Sequence, residues 1–97
     1  MNSHIDVTID FSNYNVESTY DLRIPIQIST KQLLLDLVHV LKLKDIKISN
    51  FAVKVKTKKM ILVDDDMLED FPITNGDILT VLGDDRTTYR EGVSDNE

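Results

Sequence analysis

Three stretches of this chain alternate apolar and polar residues at a period of two, and between the second and third lies one stretch of helical periodicity. That order leaves few ways to bury every apolar face at once. In Ile5-Asp6-Val7-Thr8-Ile9-Asp10-Phe11, the side chains Ile5, Val7, Ile9 and Phe11 share one face of a strand. Ser12-Asn13-Tyr14-Asn15 supplies residues that tolerate turn conformations. Alternation resumes at Thr19-Tyr20-Asp21-Leu22-Arg23-Ile24, so the first two strands form a hairpin. Pro25 cannot donate to a ladder and should weaken pairing there.

Ser29 begins a helix, and Gln32 three residues on completes a capping-box pattern. Over Lys31–Lys42, the residues Leu33, Leu34, Leu37, Val38 and Leu41 recur on one face, with Asp36, His39 and Lys42 on the other. Leu35 points toward the polar side. Each buried side chain of this kind contributes on the order of 1.5–3 kcal/mol before ordering entropy is subtracted, so this helix should anchor the fold.

Phe51-Ala52-Val53-Lys54-Val55-Lys56 alternates again, with Phe51, Val53 and Val55 inward. Lys58-Lys59 turns the chain into a brief strand at Met60-Ile61-Leu62. Asp64-Asp65-Asp66 reads as a solvated turn whose aspartates cap the following helical turn. Leu68, Phe71 and Ile73 then plug one end of the core. Asn75-Gly76 permits a positive φ before the last strand, Asp77–Leu82, in which Leu79 and Val81 face inward. The sum is an α+β chain, β-β-α-β-β-(short helical turn)-β, with a mixed sheet of four or five strands on one main helix. Its first and last strands are expected to be central and parallel.

Composition narrows the function. Ninety-seven residues with 41% apolar content fit one domain with one core, here residues 1–83. Residues 84–97 form an acidic tail expected to be disordered. The formal charge is −6, of which residues 83–97 carry −3; such a balance disfavours nucleic acid, whose phosphates demand cationic partners. The absence of cysteine excludes disulfides and thiolate metal sites. Apolar runs such as Leu33-Leu34-Leu35 are far short of a membrane span, so a cytoplasmic protein without membrane insertion is expected. His4 and His39 stand apart with no nucleophile–base pairing. The acidic stretch lacks the ligand spacing and mid-loop glycine of a calcium loop. No enzyme activity, metal or cofactor is expected.

The segments Asp10-Phe11-Ser12-Asn13-Tyr14-Asn15, Tyr20-Asp21-Leu22 and Asn75-Gly76-Asp77-Ile78-Leu79, in this order and spacing, resemble the YukD/EsaB family. These are small ubiquitin-like proteins encoded with the type VII (WXG100) secretion systems of Gram-positive bacteria. The resemblance spans residues 4–82 and implies a ubiquitin-like β-grasp fold. It further implies a cytoplasmic accessory or regulatory role through protein–protein contacts, with a membrane ATPase or accessory membrane proteins of the system as partners. A docking domain for a membrane-bound enzyme of the same system is a variant of that reading. The alternative, a conjugated modifier or sulfur carrier, requires an exposed terminal glycine; Gly83 and Gly92 are isolated, and the chain closes on Ser94-Asp95-Asn96-Glu97.

Alignment of Leu62, Leu68 and Ile73 with the core of ubiquitin sets Lys56 at the central isoleucine of ubiquitin's recognition patch. Leu82 takes the place of the patch valine and Thr80 that of the patch histidine. A patch so altered is basic and only half apolar, and ordinary ubiquitin receptors are not expected to bind it. The candidate docking face therefore comprises Arg23, Lys54, Lys56, Ile78, Thr80 and Leu82, with Ile78 and Leu82 exposed among cations. The bland reading of this face is a solubilising lysine surface with stray leucines. Tyr14, on the hairpin loop, is either an interface anchor or packed over the hairpin. Exposed sheet edges allow a monomer or a weak edge-to-edge dimer.

Overall fold

The computed structural model describes residues 3–43, 46–48 and 50–83; the acidic tail, 84–97, lies outside the described residues. Five strands and one helix follow the expected order: β1 (His4–Asp10), β2 (Thr19–Pro25), α1 (Thr30–Val40), β3 (Ala52–Val55), β4 (Met60–Val63) and β5 (Ile78–Val81). Short 3-10 turns occupy Ser12–Tyr14 and Leu68–Asp70. The strands form one sheet in the order β2-β1-β5-β3-β4. β1 and β2 make the antiparallel hairpin, β1 and β5 run parallel, and β3 is antiparallel to both β4 and β5. This is the mixed sheet and single helix of a ubiquitin-like β-grasp. The two strands expected at the centre are there.

Alternation explains the core. Ile5, Val7, Ile9 and Phe11 from the first strand region, Val53 and Val55 from β3, Leu62 from β4, and Leu79 and Val81 from β5 all face α1 and are buried. The helix answers with Leu33, Leu34 and Leu37, while Val38 and Leu41 are half-buried at its margin. Leu68 and Ile73 close one end of this interior as expected, with Phe71 half-buried beside them. Leu35, 45% exposed, points outward. Among the described residues, no helix is long and apolar enough to cross a membrane.

Every amide of the first helical turn has an acceptor. The Ser29 hydroxyl accepts from Gln32 N at 3.1 Å, and the Ser29 carbonyl accepts from Leu33 N at 2.9 Å. The two preceding amides, of Thr30 and Lys31, donate to the carbonyls of Asp66 and Asp64, each at 2.9 Å. The acidic turn thus caps α1 with its backbone. This corrects the expectation that its aspartates cap the next turn: the 3-10 turn at Leu68 has no side-chain cap. The carboxylate of Asp66 accepts from Val63 N at 2.8 Å, which holds its own carbonyl toward the helix. Gln32 does not close the capping box either, since its amide donates forward to Asp36 at 2.8 Å.

At its other end α1 stops without glycine. Lys42 adopts φ 57°, its amide donates to His39 O at 3.2 Å, and Leu43 N donates to Val38 O at 3.0 Å. Those two bonds form a Schellman closure with a lysine in the left-handed position.

Candidate protein-docking surface

The outer face of β3, β4 and β5 is set by register. Lys54 lies directly across from Thr80 on one side and Ile61 on the other. Ala52 lies across from Val63, and Leu82 N donates to Ala52 O at 2.9 Å. Lys56 N donates to Ile78 O at 2.9 Å, at the opposite end of the same strand pair. Five of the candidate residues, Lys54, Lys56, Ile78, Thr80 and Leu82, therefore share one surface. Lys54, and not Lys56, is the lysine in register with Thr80. The two lysines are exposed, whereas Ile78, Thr80 and Leu82 are half-buried between neighbouring strands instead of standing free. The Thr80 hydroxyl oxygen is buried and, among the described residues, has no hydrogen-bond partner.

Two residues were missed. Ile61 and Val63 on β4 project outward and are 54% and 46% exposed. Their strand, Met60-Ile61-Leu62-Val63, is apolar at every position, so polarity carries no alternation to separate the faces. Only the pairing of Ile61 with Lys54 and of Val63 with Ala52 does so. The result is an apolar strip along β4 and Leu82, split by a lysine row on β3. Among the described residues, neither Lys54 nor Lys56 forms an ion pair.

Arg23 belongs elsewhere. It sits on β2, at the far edge of the sheet, and its guanidinium meets the Asp6 carboxylate at 3.2 Å with both side chains largely exposed. β1 and β5 separate it from the lysine row. Tyr14 lies at the C-terminal end of β5: its hydroxyl donates to Leu82 O at 2.9 Å and its ring packs edge-on to Phe11 at 6.4 Å. Asn13 donates to Val81 O at 3.0 Å. The hairpin loop is thereby tied to the end of the last strand, immediately beside Leu82.

At the opposite end of β5, the Asn75-Gly76 turn is stitched to β1. Asp6 N donates to the Asn75 side chain and Gly76 N to Asp6 O, both at 2.8 Å, with Gly76 at φ 91°. Asp77, its side chain only 7% exposed, accepts from Lys58 Nζ at 2.6 Å, Thr57 Oγ1 at 2.5 Å and Thr74 N at 2.8 Å. Burial alone would raise the pKa of this carboxyl. The bonds from Lys58, Thr57 and the Thr74 amide, with the charge of Lys58, outweigh burial and hold it below its usual value. Lys58 is thus committed internally, unlike Lys54 and Lys56. A second apolar surface, a groove of about 510 Å³ lined by Leu35, Val38, His39, Lys42, Ile46 and Ile48, runs along α1 on the other side of the molecule.

The motifs that fix both ends of β5 are those that carry the family resemblance, and comparison with known proteins agrees. The family described as WXG100 protein secretion system (Wss), protein YukD, matches residues 4–81. The type VII secretion system accessory factor EsaB of Staphylococcus aureus, in strains Newman and COL, is 45% identical to the chain over 84 residues, covering 84% of this chain and 100% of EsaB. With its match over residues 4–81, the chain belongs to the YukD family of WXG100 secretion-system proteins.

Proposed function

We propose that this protein is a non-enzymatic accessory or regulatory component of a type VII protein secretion system. It works in the cytoplasm by presenting the outer face of β3, β4 and β5 to another protein of the machinery, a membrane ATPase or an accessory membrane protein. The observation that carries the reading is solvent-exposed Ile61, paired with Lys54, beside solvent-exposed Val63 on one sheet surface. Apolar groups that lose water on contact supply affinity, and the cations beside them select an acidic rim on the partner. The accessory-factor role of the EsaB relatives supports the same pathway. Tyr14 enters this surface through Leu82, whose carbonyl it holds, and Arg23 lies apart from it at the far edge of the sheet.

Co-purification of a tagged chain from cells that carry the secretion system tests the reading. Lys54→Glu combined with Ile61→Asp alters only exposed side chains and should remove the secretion-system partners, while the far-ultraviolet circular dichroism stays that of the wild type. Lys56→Glu with Leu82→Asp should act in the same direction. Recovery of every wild-type partner by both folded variants sinks the assignment of this surface.

A further inference from the structure

β2 forms one edge of the sheet and, among the described residues, offers an unpaired ladder seven residues long. The directions of its backbone groups follow from β1. Asp6 N and O and Thr8 N all turn toward the β5 side, bonding Asn75, Gly76 and Asp77. The intervening residues Ile5, Val7 and Ile9 therefore face β2, where they are paired with Ile24, Leu22 and Tyr20. The amides of Thr19, Asp21 and Arg23, and the carbonyls of these residues and Pro25, are left pointing away from the sheet.

We infer that this edge pairs with the same edge of a second copy of the chain, with the two β2 strands antiparallel about a two-fold axis at Leu22. In that register Asp21 lies opposite Arg23 of the partner copy, and by symmetry Arg23 opposite its Asp21. Thr19 lies opposite Pro25 and donates to its carbonyl, while Pro25, lacking an N–H, returns no bond to the Thr19 carbonyl. Moving the axis one residue toward the N-terminus sets Asp21 against Asp21; moving it toward the C-terminus sets Arg23 against Arg23. Like charges directly opposite destabilise a pair, and opposite charges support it. Charge therefore selects the Leu22 register among those that keep the outward-facing groups paired.

On the inner face the same register brings Leu22 onto Leu22 and Tyr20 onto Ile24. Both Tyr20 and Leu22 are only half-buried in the single chain. Beside them an apolar groove of about 190 Å³ runs between β2 and α1, lined by Leu22, Ile24, Ile28, Leu33, Leu37 and Val40. Val40 is 66% exposed, the highest among the exposed large apolar residues. The join covers part of this surface. The axis stands perpendicular to the sheet, so a ten-stranded sheet results whose two outer faces point the same way. The pairing is independent of the docking reading, yet it presents that surface twice on one side.

Sedimentation equilibrium of the full chain over rising concentration reads the assembly, with hydrogen exchange followed residue by residue. The wild type should show a monomer–dimer equilibrium, and protection of the Asp21 and Arg23 amides should rise with concentration while that of Leu22, already bonded to β1, changes little. Arg23→Asp alone and Asp21→Arg alone should each weaken self-association roughly tenfold or more, since two attractive contacts become repulsive. An equimolar mixture of the two folded variants should restore dimers, because each position then meets its opposite charge. A wild type that stays monomeric to millimolar concentration, or a mixture that associates no better than either variant alone, overturns the proposal.

Discussion

Asp77 shows how a single carboxylate organises the turn that the family motif encodes. It gathers Lys58 and Thr57 from the β3–β4 hairpin and Thr74 from the turn itself, so three separate backbone positions depend on one side chain. Asp77→Asn keeps the shape, removes the charge and forces an amide N–H₂ toward donors. It should destabilise the fold by about 1–3 kcal/mol at neutral pH, read from urea denaturation. The sign with pH follows from linkage. Because the folded carboxyl is held below its ordinary value of 3.8, its contribution is complete above that value and is lost as pH falls through the lower folded one. The gap between wild type and variant should therefore close in strong acid. A gap that widens as the solution is acidified would contradict the charge-based account. Asp77 could be read as part of a turn, but its partners could not, since nothing local links position 77 to positions 57 and 58.

At the scale of elements, α1 separates what the chain declares from what folding adds. Its start was legible at Ser29, whose hydroxyl caps Gln32 N, and its buried stripe at Leu33, Leu34 and Leu37 follows from spacing alone. The remaining caps come from the carbonyls of Asp64 and Asp66, more than thirty positions away, which no local pattern reveals. Its end was blurred because no glycine marks it: Lys42 takes the left-handed conformation instead. An L-residue there is strained relative to glycine, so Lys42→Gly should stabilise the protein by up to about 1 kcal/mol, seen as a thermal midpoint a few degrees higher. An unchanged or lower midpoint would show that the lysine's own packing outweighs the strain. The exposed apolar strip on β4 was illegible for a related reason. With apolar residues at each of Met60–Val63, only the partner strand tells which side faces water.

For the molecule as a whole, β5 joins two antiparallel hairpins, β1–β2 and β3–β4. Its ends are tied to both: Asn13 and Tyr14 of the first hairpin bond one end, and at the other Asp77 accepts from Thr57 and Lys58 of the second while Asn75 accepts from Asp6 N of β1. Neither half should open alone. The amides of Leu79 and Val81 should exchange with deuterium only through complete unfolding, with a free energy equal to that from denaturant titration; substantially faster exchange would reveal two independently opening halves. The outer face inherits its rigidity from this arrangement, since Lys54 is fixed between β5 and β4.

The acid-rich bend between β4 and the following 3-10 turn has a practical corollary. Polar and exposed at Asp64 and Asp65, it invites an epitope graft or a reporter, as surface bends usually tolerate such insertions. Here lengthening it would pull two carbonyls off the start of α1 and strand the amides of Thr30 and Lys31, Thr30 being fully enclosed. Engineers wishing to tag this domain should leave that bend untouched.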